Sequence, residues 1–206
     1  MMGKVSLSGI VPKLTAPSSL PAGYTRLAYI QSSGTQYIDT GIKPNQDTVA
    51  VADVQFYTFP TAHSAVFGVY TSSNAWWAYY RYSDSQYRAV NGGTAQKSIA
   101  YADPTVRTTI ELKKGAFIVG GNEIAMTEST FSIDLSIYLF AQNRNGTLYY
   151  PASCKLYSCQ IYDNTTLVRD YVPCLSDANE VGLYDLVEGV FYGNAGAGVF
   201  IGSEVE

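Results

Sequence analysis

From Leu27 onward the chain is a succession of short runs rich in Val, Ile, Tyr, Phe and Thr, each stopped by Gly, Asn, Asp, Ser or Pro. No stretch shows the three-and-four apolar spacing of an amphipathic helix, so the core must be built from strands alone. The clearest strand covers residues 105–113, where Val106, Thr108, Ile110 and Leu112 face one way and Arg107, Thr109, Glu111 and Lys113 the other. It leads through Lys114–Gly115 and Gly120–Asn122 into further strands at 116–119 and 123–126, a three-stranded meander. Other strands are predicted at 27–31, 36–40, 48–56, 65–70, 75–82, 87–90, 137–141, 155–162, 167–172, 181–186 and 190–192. So many strands without intervening helices require two packed sheets or a closed barrel. The chain length of 206 residues suits one such core. The glycine-rich 194–202 segment reads as a tight turn and final strand; without a lysine or a following helix it is no phosphate loop.

Residues 1–21 differ from the rest. Prolines stand at 12, 17 and 21, and the first aromatic residue is Tyr24. This predicts an extended N-terminal arm, followed by one domain over 22–206. The arm is either a disordered leader or an anchor in which Val5, Leu7, Ile10, Val11 and Leu14 pair with a neighbouring sheet edge. Its opening lacks the unbroken apolar core of a signal peptide, and no window is apolar enough to span a membrane.

Charge and rare residues exclude several functions. The net charge of −4 gives no basic footprint for nucleic acid. One histidine, His63, rules out a site needing two imidazoles; its neighbours Thr61, Ala62 and Ser64 suggest a solvated loop tip. Cys154, Cys159 and Cys174 lack zinc-site spacing, and Cys154 and Cys159 should face opposite sides of one strand, so three buried free thiols are expected.

Tyrosine is abundant, with 18 residues. The richest aromatic stretch spans Trp76 to Tyr82, followed by Tyr87 and Arg88. Alternation sends Trp76, Ala78, Tyr80 and Tyr82 to one face and Trp77, Tyr79 and Arg81 to the other. One set must be core; the other is either packed beneath a loop or a subunit, or free to stack on sugar rings. Trp76, Trp77, Tyr79, Tyr80, Arg81 and Tyr82 are therefore the ligand-contact candidates.

Three stretches resemble a known family: LAYIQSSGTQYIDTG at 27–41, KLYSCQIYDNTTLVRDYVP at 155–173 and VGLYDLVEGVFYGNAGAGVF at 181–200. Together they are similar to the laminin G-like, concanavalin A-like jelly-roll domains found in phage and prophage structural proteins of gut bacteria. The resemblance implies an all-β antiparallel sandwich whose first and last strands lie side by side. Within the second stretch Tyr157, Cys159 and Ile161 should share a face, Asp163 and Asn164 turn the chain, and Arg169 and Asp170 should face opposite sides, each meeting a charge elsewhere.

Sandwich glycosidases of that superfamily carry an E-x-D-x-x-E type run. None occurs here, and Asp185 with Glu188, or Asp163 with Asp170, lacks the alternation. Calcium is also carried by some laminin G-like domains. Asp39, Asp84, Asp103 and Asp185 are isolated candidate ligands without a D-x-D-x-D-G loop, so no metal or other cofactor is expected. The resemblance implies a non-enzymatic virion protein: a capsid decoration, head-fibre or tail-associated module. It would be made in the bacterial cytoplasm, dock to other virion proteins through the arm, and be particle-bound or homo-oligomeric. A carbohydrate-binding adhesin recognising host glycans is the alternative, and a glycoside hydrolase a distant third.

Overall fold

The computed structural model describes residues 20–204, so the arm residues Val5, Leu7, Ile10, Val11 and Leu14 lie outside the described residues. Eighteen strands and no α-helix occur among the described residues, so no helix is long and apolar enough to cross a membrane. One sheet of ten strands contains β1 (Tyr24–Gln31), β3 (Thr48–Phe56), β8 (Thr108–Lys113), β9 (Ala116–Val119) and β10 (Asn122–Ala125). It continues with β14 (Cys154–Asp163), β15 (Thr166–Ser176), β16 (Val181–Asp185), β17 (Val190–Tyr192) and β18 (Ile201–Glu204). The second, of eight strands, has β4 (Ser64–Tyr70), β5 (Ala75–Arg81), β6 (Gln86–Asn91) and β7 (Lys97–Ala100) at its centre and one edge. Its other members are β2 (Ile38–Asp39), β11 (Tyr138–Leu139), β12 (Gln142–Arg144) and β13 (Thr147–Tyr149). All pairings are antiparallel except β4 with β12.

The two sheets pack face to face because each presents an apolar inner face; β3 and β8 alternate inward apolar with outward less buried residues, while β4 and β5 are buried on both faces. Ala50, Ala52, Val54 and Phe56 of β3 and Ile110 and Leu112 of β8 share one core with Phe67 and Val69 of β4 and Trp76, Ala78 and Tyr80 of β5. The chain is thus the expected all-β antiparallel sandwich. The meander β8–β9–β10 lies at one edge of its sheet, and β1 pairs with β18 (Leu27 opposite Glu204, Gln31 opposite Ile201), joining the ends as anticipated.

Local departures have identifiable causes. Val106 stays 54% exposed because the strand begins only at Thr108. Before it, Asp103 Oδ1 accepts from the Thr105 backbone N–H and hydroxyl, forming a turn. The last strand starts at Ile201; before it the chain is tied to 35–37 by Ala195 N–H donating to Tyr37 O and Ala197 N–H to Thr35 O.

A larger correction concerns β14. A bulge shifts its pairing with β3 between Leu156 and Ser158, so the regular alternation fails. Cys154 and Cys159 consequently both enter the core, while Tyr157 leaves the face of Cys159 and Ile161 and packs outside. There Arg107 lies 3.7 Å over its ring and its hydroxyl donates to Gln55 Oε1. All three cysteines are free and buried; burial raises the Cys159 and Cys174 thiols to about 12 and lifts Cys154 further. Cys174 belongs to a separate cluster with Val172 and Tyr184, covered by Leu20 and Tyr24.

Candidate functional site

Within β5 the aromatic residues divide as alternation requires, but Tyr82 lies past the end of the strand and joins the exposed outer rings instead of the face of Trp76 and Tyr80. Trp76 (0% exposed) and Tyr80 (1%) are inside the sandwich, so these two of the six contact candidates are core and unreachable by a ligand in this packing. Trp77 and Tyr79 turn outward onto the eight-stranded sheet, yet they are only 5% and 6% exposed. They pack with Ala65, Ala75 and Val90 beneath Tyr70 and Tyr150. Trp77 can lie this low because Gly68 stands opposite: a Cβ there would fall 2.1 Å from the Trp77 Cβ.

Trp77 and Tyr79 thus form the floor of a second layer. Its members come from distant segments: His63 before β4, Tyr70 ending β4, Tyr82 after β5, and Arg144, Tyr149 and Tyr150 from the β12–β13 hairpin. The Arg144 guanidinium lies 5.0 Å over the Tyr70 ring and 4.5 Å over that of Tyr149. From Tyr149 the rings continue to Tyr150 at 4.2 Å, to His63 at 5.1 Å and to Tyr82 at 5.5 Å. Tyr79 supports both Tyr150 and His63 from below, at 5.6 and 5.3 Å. The result is an unbroken ladder of half-exposed rings, ending on Tyr82, which is 49% exposed.

His63 is therefore not the solvated loop histidine suggested by its neighbours in sequence. It is half-buried against three tyrosines, and burial first, then the Arg81 and Arg88 charges, lower its pKa below the ordinary value. Burial likewise raises the Tyr79 and Tyr150 phenols, which stay neutral.

Arginine outnumbers acid around the rings. Asp84 binds Arg88 at 2.7 Å and Arg81 at 3.5 Å, while no carboxylate among the described residues pairs with Arg144. Around the ring ladder three guanidiniums stand with one carboxylate, Asp84, while Asp39 is exposed farther across the same sheet face, in register with Tyr138 and Gly68. Three buried nitrogens around Tyr79 also lack a partner: Trp77 Nε1, Arg88 Nε and His63 Nδ1. The first two are obligate donors, so they leave acceptor demand unmet beneath the rings.

The other feature is a broad crevice of about 480 Å³ at the opposite end of β4 from His63, where Asp39, Gly41, Lys43, Asp134, Tyr138 and Tyr192 meet. Asn143 holds its walls, donating to Ser136 O and accepting from Gly146 N–H. Lys43 is satisfied by Asp134 at 2.5 Å. Tyr138 is raised to about 12 by burial, then by Tyr37 and Asp39.

The isolated acids are not gathered. Asp39 lies in the crevice, Asp84 between two arginines, and Asp103 in its turn, while Asp185 is buried and accepts from the Asp170 and Val187 N–H groups. No group of three or more His, Cys, Asp or Glu among the described residues could hold a metal. Arg169 draws Glu188 (2.7 Å) and Asp185 (3.5 Å) into an ion network, while Asp170 accepts from Gln160 Nε2. Arg169 thus meets carboxylates elsewhere as expected, whereas Asp170 is held by the neutral amide of Gln160 instead of a charge.

No protein-family model matches the chain, and no curated protein matches it. Among solved structures it is similar to domains LG4-5 of the mouse laminin alpha1 chain, at 10% identity and TM-score 0.44, over 77% of this chain and 47% of that one. It is also similar to a mutant of Trypanosoma rangeli sialidase displaying trans-sialidase activity, at 12% identity and TM-score 0.43, over 59% of this chain and 21% of that one. The chain therefore spans less than half the length of either.

Proposed function

We propose that this protein is a non-catalytic glycan-binding module whose contact surface is the outer face of the eight-stranded sheet. The observation that carries the reading is the continuous ladder from Arg144 through Tyr149, Tyr150 and His63 to Tyr82, seated on the rigid floor of Trp77 and Tyr79. Ring faces offer broad apolar contact to the C–H faces of sugars, while phenol and guanidinium tips bond their hydroxyls. Both are held in place before binding, which limits the entropy lost on association.

The test is a glycan array probed with wild type, Tyr149→Ala and Tyr150→Ala, each checked for an unchanged melting transition. Binding by wild type and at least tenfold weaker binding by a folded variant is expected. An array silent for wild type, or one unaffected by both substitutions, removes this surface as the site; release of new reducing ends from a bound polysaccharide would make the protein a hydrolase instead.

Carriage on a phage particle is the accompanying proposal, and what supports it is the resemblance of the three sequence stretches together with the composition of residues 1–21. A chain lacking residues 1–21 should fold and keep its glycan specificity yet fail to enter particles. Normal incorporation of the shortened chain would contradict that role.

A further inference from the structure

The glycan-binding surface has two cationic ends and an aromatic middle. Arg144 pairs with Tyr70, and Tyr70 with Ala75, so Arg144 stands level with the start of β5. Arg81 lies at the other end of that strand, beside Arg88 and Asp84. Six residues at the strand rise separate the two levels by ~20 Å. Between them lie the rings of Tyr149, Tyr150 and His63. An end-on site for one terminal sugar would need a closed pocket with donors converging on a point; here the groups are strung along a line, with a positive charge at each end. The chain as a whole is negative, with a net charge of −4, so this local excess of guanidinium is a departure from its own composition.

We infer that the occupant is an internal stretch of a linear acidic polysaccharide, laid along β5 so that anionic groups several sugars apart meet Arg144 at one end and Arg81 with Arg88 at the other. This rests on the glycan-binding reading and adds to it the ligand's charge, its minimum length and its direction on the sheet. Two weak contacts joined by one chain act together through effective concentration, so affinity must climb with length until both ends are reached and then level off.

Oligogalacturonides of graded length supply the probe. The dimer should bind weakly and the octamer at least tenfold more tightly, with an uncharged octamer of glucose well below it. Arg144→Gln and Arg81→Gln should each return the octamer to about the dimer's affinity, a loss of about tenfold for one charge-assisted contact. Added salt should weaken the octamer more than the dimer. Melting curves of both variants establish that they fold, and Lys155→Gln, which removes a cation stacked on Tyr29 of the other sheet, should leave octamer binding unchanged. Equal binding of dimer and octamer, or insensitivity to both arginine substitutions, overturns the inference while leaving glycan binding intact. So does an oligonucleotide of matched charge binding as tightly as the octamer, since the surface would then read charge alone. Absence of binding to every carbohydrate, charged or not, would instead overturn the glycan reading itself.

Discussion

Gly68→Ala tests the packing on which the ligand surface stands. Gly68 sits opposite Trp77 with φ +152°, and an added Cβ would meet the Trp77 Cβ at 2.1 Å, its Cα at 2.7 Å and the Trp76 carbonyl oxygen at 3.0 Å. Backbone atoms are among these neighbours, so a rotamer change cannot relieve the clash; β4 and β5 must separate. Overpacking of this kind costs roughly 1–3 kcal/mol, and a backbone conformation reserved for glycine roughly 1–3 more, so a loss of about 3 kcal/mol is expected. In a chain of 206 residues that lowers the melting temperature by roughly 6–12 °C. Gly121→Ala is the control: its φ is +83° and nothing lies within 4 Å of its Cβ, so only the backbone term of about 1–2 kcal/mol applies. Urea unfolding of both variants, with unchanged m-values, gives the comparison. If Gly68→Ala loses no more stability than Gly121→Ala, the strands do not approach as closely as the floor of the ring ladder requires.

Tyr87 is fully buried with a hydroxyl that has no partner, its ring edge-on to Tyr80 and Tyr101. Tyr87→Phe should therefore stabilise the protein by about 1 kcal/mol in urea unfolding, because an unsatisfied buried polar group is removed. Tyr80→Phe, which loses a weak bond of 3.4 Å to the Tyr101 carbonyl, should destabilise it slightly, and a Tyr87→Phe variant less stable than wild type would expose an acceptor or water at that hydroxyl. His63 gives the pH dependence. Its folded pKa lies below the unfolded value of about 6.5, so its contribution is fully present above that pH and is lost as pH falls through the depressed folded value. Melting temperatures from about pH 7 to about pH 5 should fall more steeply for wild type than for His63→Gln; parallel curves would mean that His63 does not feel the burial and arginine charges assigned to it.

Fold class was legible because it depends on local pattern repeated along the chain. The period-two alternation of 48–56 and 108–113 places inward residues unambiguously, and the turn residues between strands limit each run. What escaped were features in which one residue breaks a period or a short polar strand is recruited by its neighbour. The bulge in β14 is a single extra residue, yet it reverses the side of everything beyond it and carries Cys154 and Cys159 to the same face. Strand β7 carries Lys97 and Ser98 and borders an already formed sheet through Arg88 and Ala89. Nothing within either segment announces these outcomes, because the partner strand supplies the hydrogen bonds that decide them.

The ligand surface divides along the same line. Alternation in β5 was sufficient to separate Trp76 and Tyr80 from Trp77 and Tyr79, but it could not say what covers the outer pair, since the cover arrives from the other end of the sheet. Tyr150 reaches Tyr79 through the β12–β13 hairpin, held where the Ala65 N–H donates to the Tyr150 carbonyl at 2.7 Å. The doublet Tyr149–Tyr150 before Pro151 was the visible signal: two adjacent aromatics ending a strand cannot both enter one core, so at least one must lie across an outer face. Once Tyr150 takes that position, Trp77 and Tyr79 become support and the rings that meet solvent are those contributed by the loops. A reading from one strand therefore finds the floor of the surface, while its working layer exists only in the folded chain.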